Sequence, residues 1–258
     1  MSDSFTPVER VLLPTTSRDE KEFLVDVERY HFACQYVAGK RVLDIASGGG
    51  WGTALLVAEG RAAAAVGVEI DGTSVQSART QHASEAIEFV QGTAEQIPLR
   101  DCSVDAAVSI ETFEHIQDPR RLLVELSRVL IPGGTLVLST PRNETPERVR
   151  PSNPYHVREY SSAEFESMLR SVFPHVELFS QVTTYADDLV PASPAKSMER
   201  LRQMIRAFIP KPVRDRIRRT LHSEGLTIER SDVVAGVHQN SVVQLAVCRT
   251  ATPSLGPS

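Results

Sequence analysis

The segment Arg41-Val-Leu-Asp-Ile-Ala-Ser-Gly-Gly-Gly-Trp-Gly-Thr53 constrains the fold more than any other part of this chain. A short apolar run ends in the carboxylate of Asp44, glycines follow, and Thr53-Ala-Leu-Leu-Val-Ala-Glu59 resumes with helical composition. A buried strand running into a ligand-cradling turn and then a helix has this pattern, because glycines let backbone N–H groups close on a ligand. A dinucleotide phosphate is disfavoured here. A pyrophosphate at this turn would be repelled by Asp44, and the spacing G-x-G-x-x-G fails at Thr53. A cofactor carrying an ammonium and a sulfonium, as S-adenosylmethionine does, suits the carboxylate instead.

Further segments follow in order. Ala64-Ala-Val-Gly-Val-Glu-Ile70 reads as a second buried strand with Glu69 at its end, where a carboxylate can accept from two ribose hydroxyls. Ile87–Gln91 and Val104–Ile110 read as the third and fourth strands, Asp118–Leu130 as a helix, and Pro132-Gly-Gly-Thr-Leu-Val-Leu-Ser-Thr140 as a turn and fifth strand.

Together these pieces resemble the class I S-adenosylmethionine-dependent methyltransferases of the type 11 kind. The first segment is similar to their D-x-G-x-G-x-G motif, with Ala46 in place of the first glycine while Gly48 and Gly50 are kept. The resemblance covers residues 36–183 and 240–250 and implies a Rossmann-like, doubly wound α/β sheet with a helical insertion before the last strand. Residues 1–35 are expected to form an N-terminal helical segment. Cofactor contacts are implied at Asp44, Ala46, Gly48, Gly50, Trp51, Glu69, Ile70, Thr93, Ala94, Glu95 and Ile110, with Thr93 standing where an Asp is common in the family. For Trp51, packing on the first helix competes with stacking on adenine.

Ser109-Ile-Glu-Thr-Phe-Glu-His-Ile116 lies just past the fourth strand, where ligands meet chemistry in open parallel sheets. One helical turn here would put Glu111 and His115 on one face, with Glu114 beside them. His156, in the loop after the fifth strand, could add a second imidazole. Two carboxylates and two imidazoles suit Mg²⁺ or Mn²⁺. The E-x-x-E-H pattern with a later His is similar to the metal site of small-RNA 2′-O-methyltransferases, and its first part resembles the ubiquinone-pathway O-methyltransferases. A metal-free alternative makes His115 a general base, since imidazole ordinarily titrates near neutrality. Both stay open. His31, His82, His175, His222 and His238 carry no pattern of this kind.

Asn153-Pro-Tyr-His-Val-Arg-Glu-Tyr160 resembles a subgroup found with glycan and glycolipid assembly, implying O-methylation of a sugar hydroxyl. Tyr155 and Tyr160 offer faces for a sugar ring, and Arg142, Arg150 and Arg158 offer charge for an anion. Ser161 or Ser162, with Glu164 following, predicts a capping box for the next helix. Two other functions compete: methylation of a small phenolic or polyketide metabolite, and a catalytically silent cofactor-binding subunit, of which Ala46 would be an early sign.

Residues 184–239 depart from the minimal fold. Met198, Leu201, Ile205 and Phe208 share helical spacing, and Lys196–Arg219 carries a net +7, leaving −12 on the rest of a chain whose total is −5. A basic lid packing on its own domain, or attraction of residues 196–221 to an anionic membrane surface, would use that charge. Nucleic acid is disfavoured by the overall acidity. Cys34, Cys102 and Cys248 are widely spaced and form neither a disulfide framework nor a metal clip. With no signal-peptide pattern at Met1–Pro7, the expectation is a cytoplasmic protein, peripheral on the membrane at most, and a homodimer remains open.

Overall fold

Thirteen helices and strands are found in a computed structural model that describes residues 17–149, 151, 153–185, 228–237 and 241–252. They run α1 (Ser17–Cys34), β1 (Arg41–Ile45), α2 (Trp51–Ala58), β2 (Ala64–Glu69), α3 (Gly72–His82), β3 (Ile87–Gln91) and β4 (Val104–Ser109). After these come α4 (Pro119–Val129), β5 (Leu130–Pro141), α5 (Ser162–Arg170), β6 (His175–Tyr185), β7 (Ile228–Ala235) and β8 (Val243–Arg249). The expected doubly wound α/β sheet is present. Its eight strands lie in the order β3-β2-β1-β4-β5-β8-β6-β7, the first five mutually parallel and the last three joined antiparallel.

The chain leaves β1 in one direction toward β2 and β3, then returns to lay β4 on the other side of β1. That reversal opens a crevice above the carboxyl ends of β1 and β4. Both faces of the sheet are covered, which explains the near-continuous apolar runs of its central strands. On one face Val42, Ala106, Val108, Val137 and Val247 meet Val27, Tyr30 and Phe32 of α1 and Leu55 and Leu56 of α2. On the other, Leu43, Ile45, Ala107, Leu136 and Leu138 meet Leu122, Leu123 and Leu126 of α4 and Phe165 and Leu169 of α5.

Local signals set the helix ends. Asp118 caps α4 by accepting from the Arg121 amide, with Pro119 in the first turn where its missing N–H costs nothing. Ser161 caps α5, and Glu164 returns the bond to complete the capping box.

The region expected to be a helical insertion needs correction at both ends. Thr184 and Tyr185 close β6, and Ile228–Ala235 is strand, pairing antiparallel with β6 from Phe179 to Tyr185. Without β7, β6 would present an unpaired edge; the pairing satisfies its backbone groups. Residues 186–227, with the basic amphipathic stretch, lie outside the described residues, as do residues 1–16 of the expected N-terminal helical segment. Among the described residues no helix is long and apolar enough to cross a membrane.

Candidate active site at the switch point

The turn after β1 is built on left-handed backbone. Ala46, Gly48 and Gly50 have φ of 58°, 52° and 81°. Gly50 is required for a second reason, since a Cβ there would stand 2.5 Å from the Phe89 ring and 2.8 Å from Ala78. Ala46 takes up the conformation a glycine would hold without strain.

Asp44 is fully buried at the end of β1, and both its oxygens are occupied. Tyr30 of α1 donates its hydroxyl at 3.1 Å and Thr53 of α2 donates at 2.6 Å. Burial pushes the carboxyl up to about 7, against the opposing pull of these two hydrogen bonds. Asp44 therefore anchors α1 and α2 at the end of β1, the position at which the sequence implies a cofactor contact. Tyr30 carries no motif and went unnoticed in the sequence; only the packing of α1 brings it there.

Glu69, at the end of β2, accepts from the Gly48 amide and the Asp71 amide, both at 2.9 Å, and so ties the glycine turn to β2. Ile70 is exposed, its carbonyl bonded to Gln91. In the loop after β3, Thr93 is exposed and its carbonyl accepts from Gln96, while Ala94 packs against the α4 side of the core. Glu95 accepts from the Asp118 amide at 3.0 Å, a bond that fixes the start of α4. Ile110 is buried with the α1-side core. The Trp51 ring meets Tyr30 edge-on at 4.8 Å, the packing alternative noted for this residue.

After β4 the chain does not make the helical turn needed to align Glu111 with His115. Only Phe113–His115 is a 3-10 turn, and Glu111 precedes it with φ of 46°. Ser139 donates to Glu111 Oε1 at 2.7 Å, and Arg29 of α1 lies 3.4 Å from Oε2. Arg29 is itself buried, bonded to Gln181 of β6 at 2.7 Å and paired with Asp26. These contacts draw Glu111 away from the imidazoles.

Glu114, His115 and His156 do come together, with candidate ligand atoms within 4.8 Å of one another. Glu114 is buried, accepts from Thr140 at 2.9 Å, and has its pKa held well above the usual carboxylate range by burial and then by the nearby Glu111 charge. His115 Nδ1 lies 2.9 Å from the Tyr155 carbonyl, and its Nε2 lies 3.8 Å from Glu114 Oε1. A carbonyl can only accept, so Nδ1 is the donor and the neutral ring carries its lone pair on Nε2. The His156 ring stands edge-on to His115 at 5.0 Å, but both its nitrogens are engaged, by Asn153 at 2.9 Å and Glu159 at 2.8 Å.

Other expected acceptor groups divide. Tyr155 is exposed beside His115, whereas Tyr160 is buried against Phe113 at 5.0 Å and offers no sugar platform. Arg158 pairs with Glu164, and Arg142 holds Glu144, Ser162 and the Ser241 carbonyl. Both arginines thus fasten the loop to its surroundings. Arg150 lies outside the described residues.

Comparison with known proteins bears directly on this crevice. Residues 43–138, from β1 through most of β5, match a family model described as a methyltransferase domain. A probable S-adenosylmethionine-dependent methyltransferase of Mycolicibacterium smegmatis is 34% identical over 142 residues, covering 54% of each chain. A fatty-acid O-methyltransferase from the same organism is 31% identical over 139 residues, 52% of this chain and 50% of its own. The chain thus spans about half the length of the curated relatives it matches. In fold it is similar to the crystal structure of an S-adenosylmethionine-dependent methyltransferase from Thermotoga maritima, at a TM-score of 0.58, 19% identity and coverage of 90% and 95% of the two chains. The strand order, the glycine turn and the matched span identify residues 43–138 as a methyltransferase domain of the class I S-adenosylmethionine-dependent type.

Proposed function

We propose that this chain methylates a hydroxyl oxygen of a sugar-bearing acceptor, a glycan or glycolipid, with S-adenosylmethionine as donor and His115 as the base. The observation that carries the reading is the Tyr155 carbonyl on His115 Nδ1, which leaves the Nε2 lone pair to take a proton at the mouth of the crevice. The crevice suits the cofactor: Glu69 stands at the end of β2, and the buried Ser47 hydroxyl in the turn has no protein partner. Bound there, S-adenosylmethionine would supply a methyl group activated by its sulfonium, with the thioether as the leaving group when the acceptor oxygen takes the methyl. His115 takes the hydroxyl proton, and Glu114, whose pKa burial holds well above the usual carboxylate range, lies beside it with Oε1 3.8 Å from Nε2. Exposed Tyr155 supports a sugar ring lying against the site. The relative named a fatty-acid O-methyltransferase, together with the basic stretch Lys196–Arg219, supports an acceptor with a lipid portion held near an anionic surface.

A second reading rests on the meeting of Glu114, His115 and His156. A divalent cation there would lower the acceptor's pKa, but His156 would first have to release Asn153 or Glu159, and Glu111 is committed elsewhere. The geometry favours the metal-free base.

Transfer of labelled methyl from S-adenosylmethionine to a panel of glycolipids, free glycans and phenols, run with and without chelator, tests these readings. Labelled glycolipid in chelator, lost in His115→Asn with cofactor binding intact, is the expected result. Activity that vanishes in chelator and returns with Mg²⁺ or Mn²⁺ selects the metal reading. Labelling of phenols alone removes the sugar acceptor.

A further inference from the structure

His156 lies beside His115 yet takes no direct part in the chemistry proposed above. Its bonds run into the loop. Asn153 accepts from the Tyr155 amide at 3.0 Å through its side-chain oxygen, which orients its amide nitrogen as donor to His156 Nε2. The His156 amide returns to the Asn153 carbonyl at 3.2 Å, closing a turn with Tyr155 inside it. His156 Nδ1 then donates to Glu159 Oε1 at 2.8 Å, and Glu159 Oε2 accepts from Asn143 at 2.8 Å, just past β5. Both the proton and the lone pair of the His156 ring are spent on holding this turn. The turn in turn aims one backbone group, the Tyr155 carbonyl, at His115 Nδ1.

The alternative tautomer of His115 would put the proton on Nε2, the nitrogen facing Glu114, and leave Nδ1 lone pair against carbonyl lone pair. That arrangement is repulsive as long as the Tyr155 carbonyl stays in place. The amides of Val157 and Arg158 add a second clamp by donating to the Glu114 carbonyl at 2.8 and 3.2 Å, so the loop and the 3-10 turn move together.

We propose that His156 is a positioning residue: through Asn153 and Glu159 it fixes the Tyr155 carbonyl, and that carbonyl selects the His115 tautomer whose Nε2 can accept a proton. The functional part of this inference rests on the base role of His115; the tautomer part does not. Substitution at His156 separates positioning from metal ligation. Gln can keep both bonds, its oxygen accepting from Asn153 and its amide nitrogen donating to Glu159, whereas Ala keeps neither.

The test is long-range proton–nitrogen NMR of the histidine rings in the full-length chain, paired with methyl-transfer kinetics. Wild type should show His115 protonated at Nδ1 in its neutral form. His156→Ala should shift His115 toward a mixture of tautomers and lower kcat about tenfold, with KM for S-adenosylmethionine unchanged. His156→Gln should restore both. If His156→Ala does not fold, Asn153→Ala removes the same support and should produce the same tautomer shift. A wild-type His115 protonated at Nε2, or a tautomer unchanged in both alanine variants, overturns the proposal. Equal loss of activity in His156→Ala and His156→Gln, together with a chelator-sensitive wild type, overturns it in favour of ligation. Full activity in His115→Asn would remove the base reading alone, with the tautomer measurement still deciding the role of His156.

Discussion

Tyr30 donates its phenolic hydrogen to Asp44 across 3.1 Å, fastening α1 to the end of β1 directly beneath the glycine turn. Burial raises the Asp44 carboxyl to about 7. A carboxyl whose folded-state pKa lies above its unfolded value stabilises the fold most when protonated. Its contribution is full below the ordinary carboxylate range near 3.8 and is lost as pH rises to about 7. Denaturant unfolding between pH 5 and pH 7.5 should therefore show wild type losing at most about 1.4 kcal/mol per pH unit through this group. Asp44→Asn should remove that slope; an identical slope in the variant would contradict the assignment.

Ala46 holds a left-handed backbone at φ of 58°. Ala46→Gly should stabilise the chain by about 1 kcal/mol, the left-handed strain of about 1–2 kcal/mol being partly offset by the greater freedom of glycine when unfolded. Thermal unfolding would register the gain as a higher Tm. A drop in Tm would mean that the methyl group makes contacts worth more than the strain.

Arg29 serves Asp26, Gln181 and Glu111 from a buried position. Arg29→Met fills similar space but withdraws the guanidinium from Asp26, Gln181 and Glu111, a loss of about 3 kcal/mol. The cost should shrink in the double variant with Glu111→Gln, because one stranded charge goes with it. Strict additivity of the two substitutions in urea titrations would show that Arg29 and Glu111 do not interact.

The capping box at Ser161 closes the first turn of α5 just after the loop that carries His156. Ser161→Ala should cost about 1 kcal/mol and leave cofactor affinity unchanged, which calorimetry with S-adenosylhomocysteine can confirm. A weakened cofactor site in this variant would show that the loop couples to the crevice more tightly than its contacts suggest.

The parallel half of the sheet was legible because its signals are local: apolar runs and the glycine turn each sit within a dozen residues. The capping box at Ser161 was legible for the same reason. Pro132-Gly133-Gly134, expected as a turn before the fifth strand, lies inside β5 where its register against β4 shifts. The meeting of Glu114, His115 and His156 followed from topology alone, since loops after β4 and β5 overhang one edge. Glu111 was misplaced because its backbone conformation depends on Ser139 and Arg29, 28 and 82 residues distant in the chain. The Tyr30 hydroxyl on Asp44 was not legible, because it reaches Asp44 from a helix with no motif of its own. Strand β7 was missed when the helical periodicity of the middle of the 184–239 segment was extended to its flanks.

Strand β8 is the last of the described strands in sequence but the sixth across the sheet, lying between β5 and β6. Strands β1 to β5 can pair as they emerge, whereas the antiparallel β6–β7 pair lacks its neighbour in the sheet until Val243–Arg249 arrives. Strand β8 is a keystone. Deletion of those seven residues would leave both β5 and β6 with open, apolar-flanked edges, and a nascent chain stalled before them would be a natural client for chaperones.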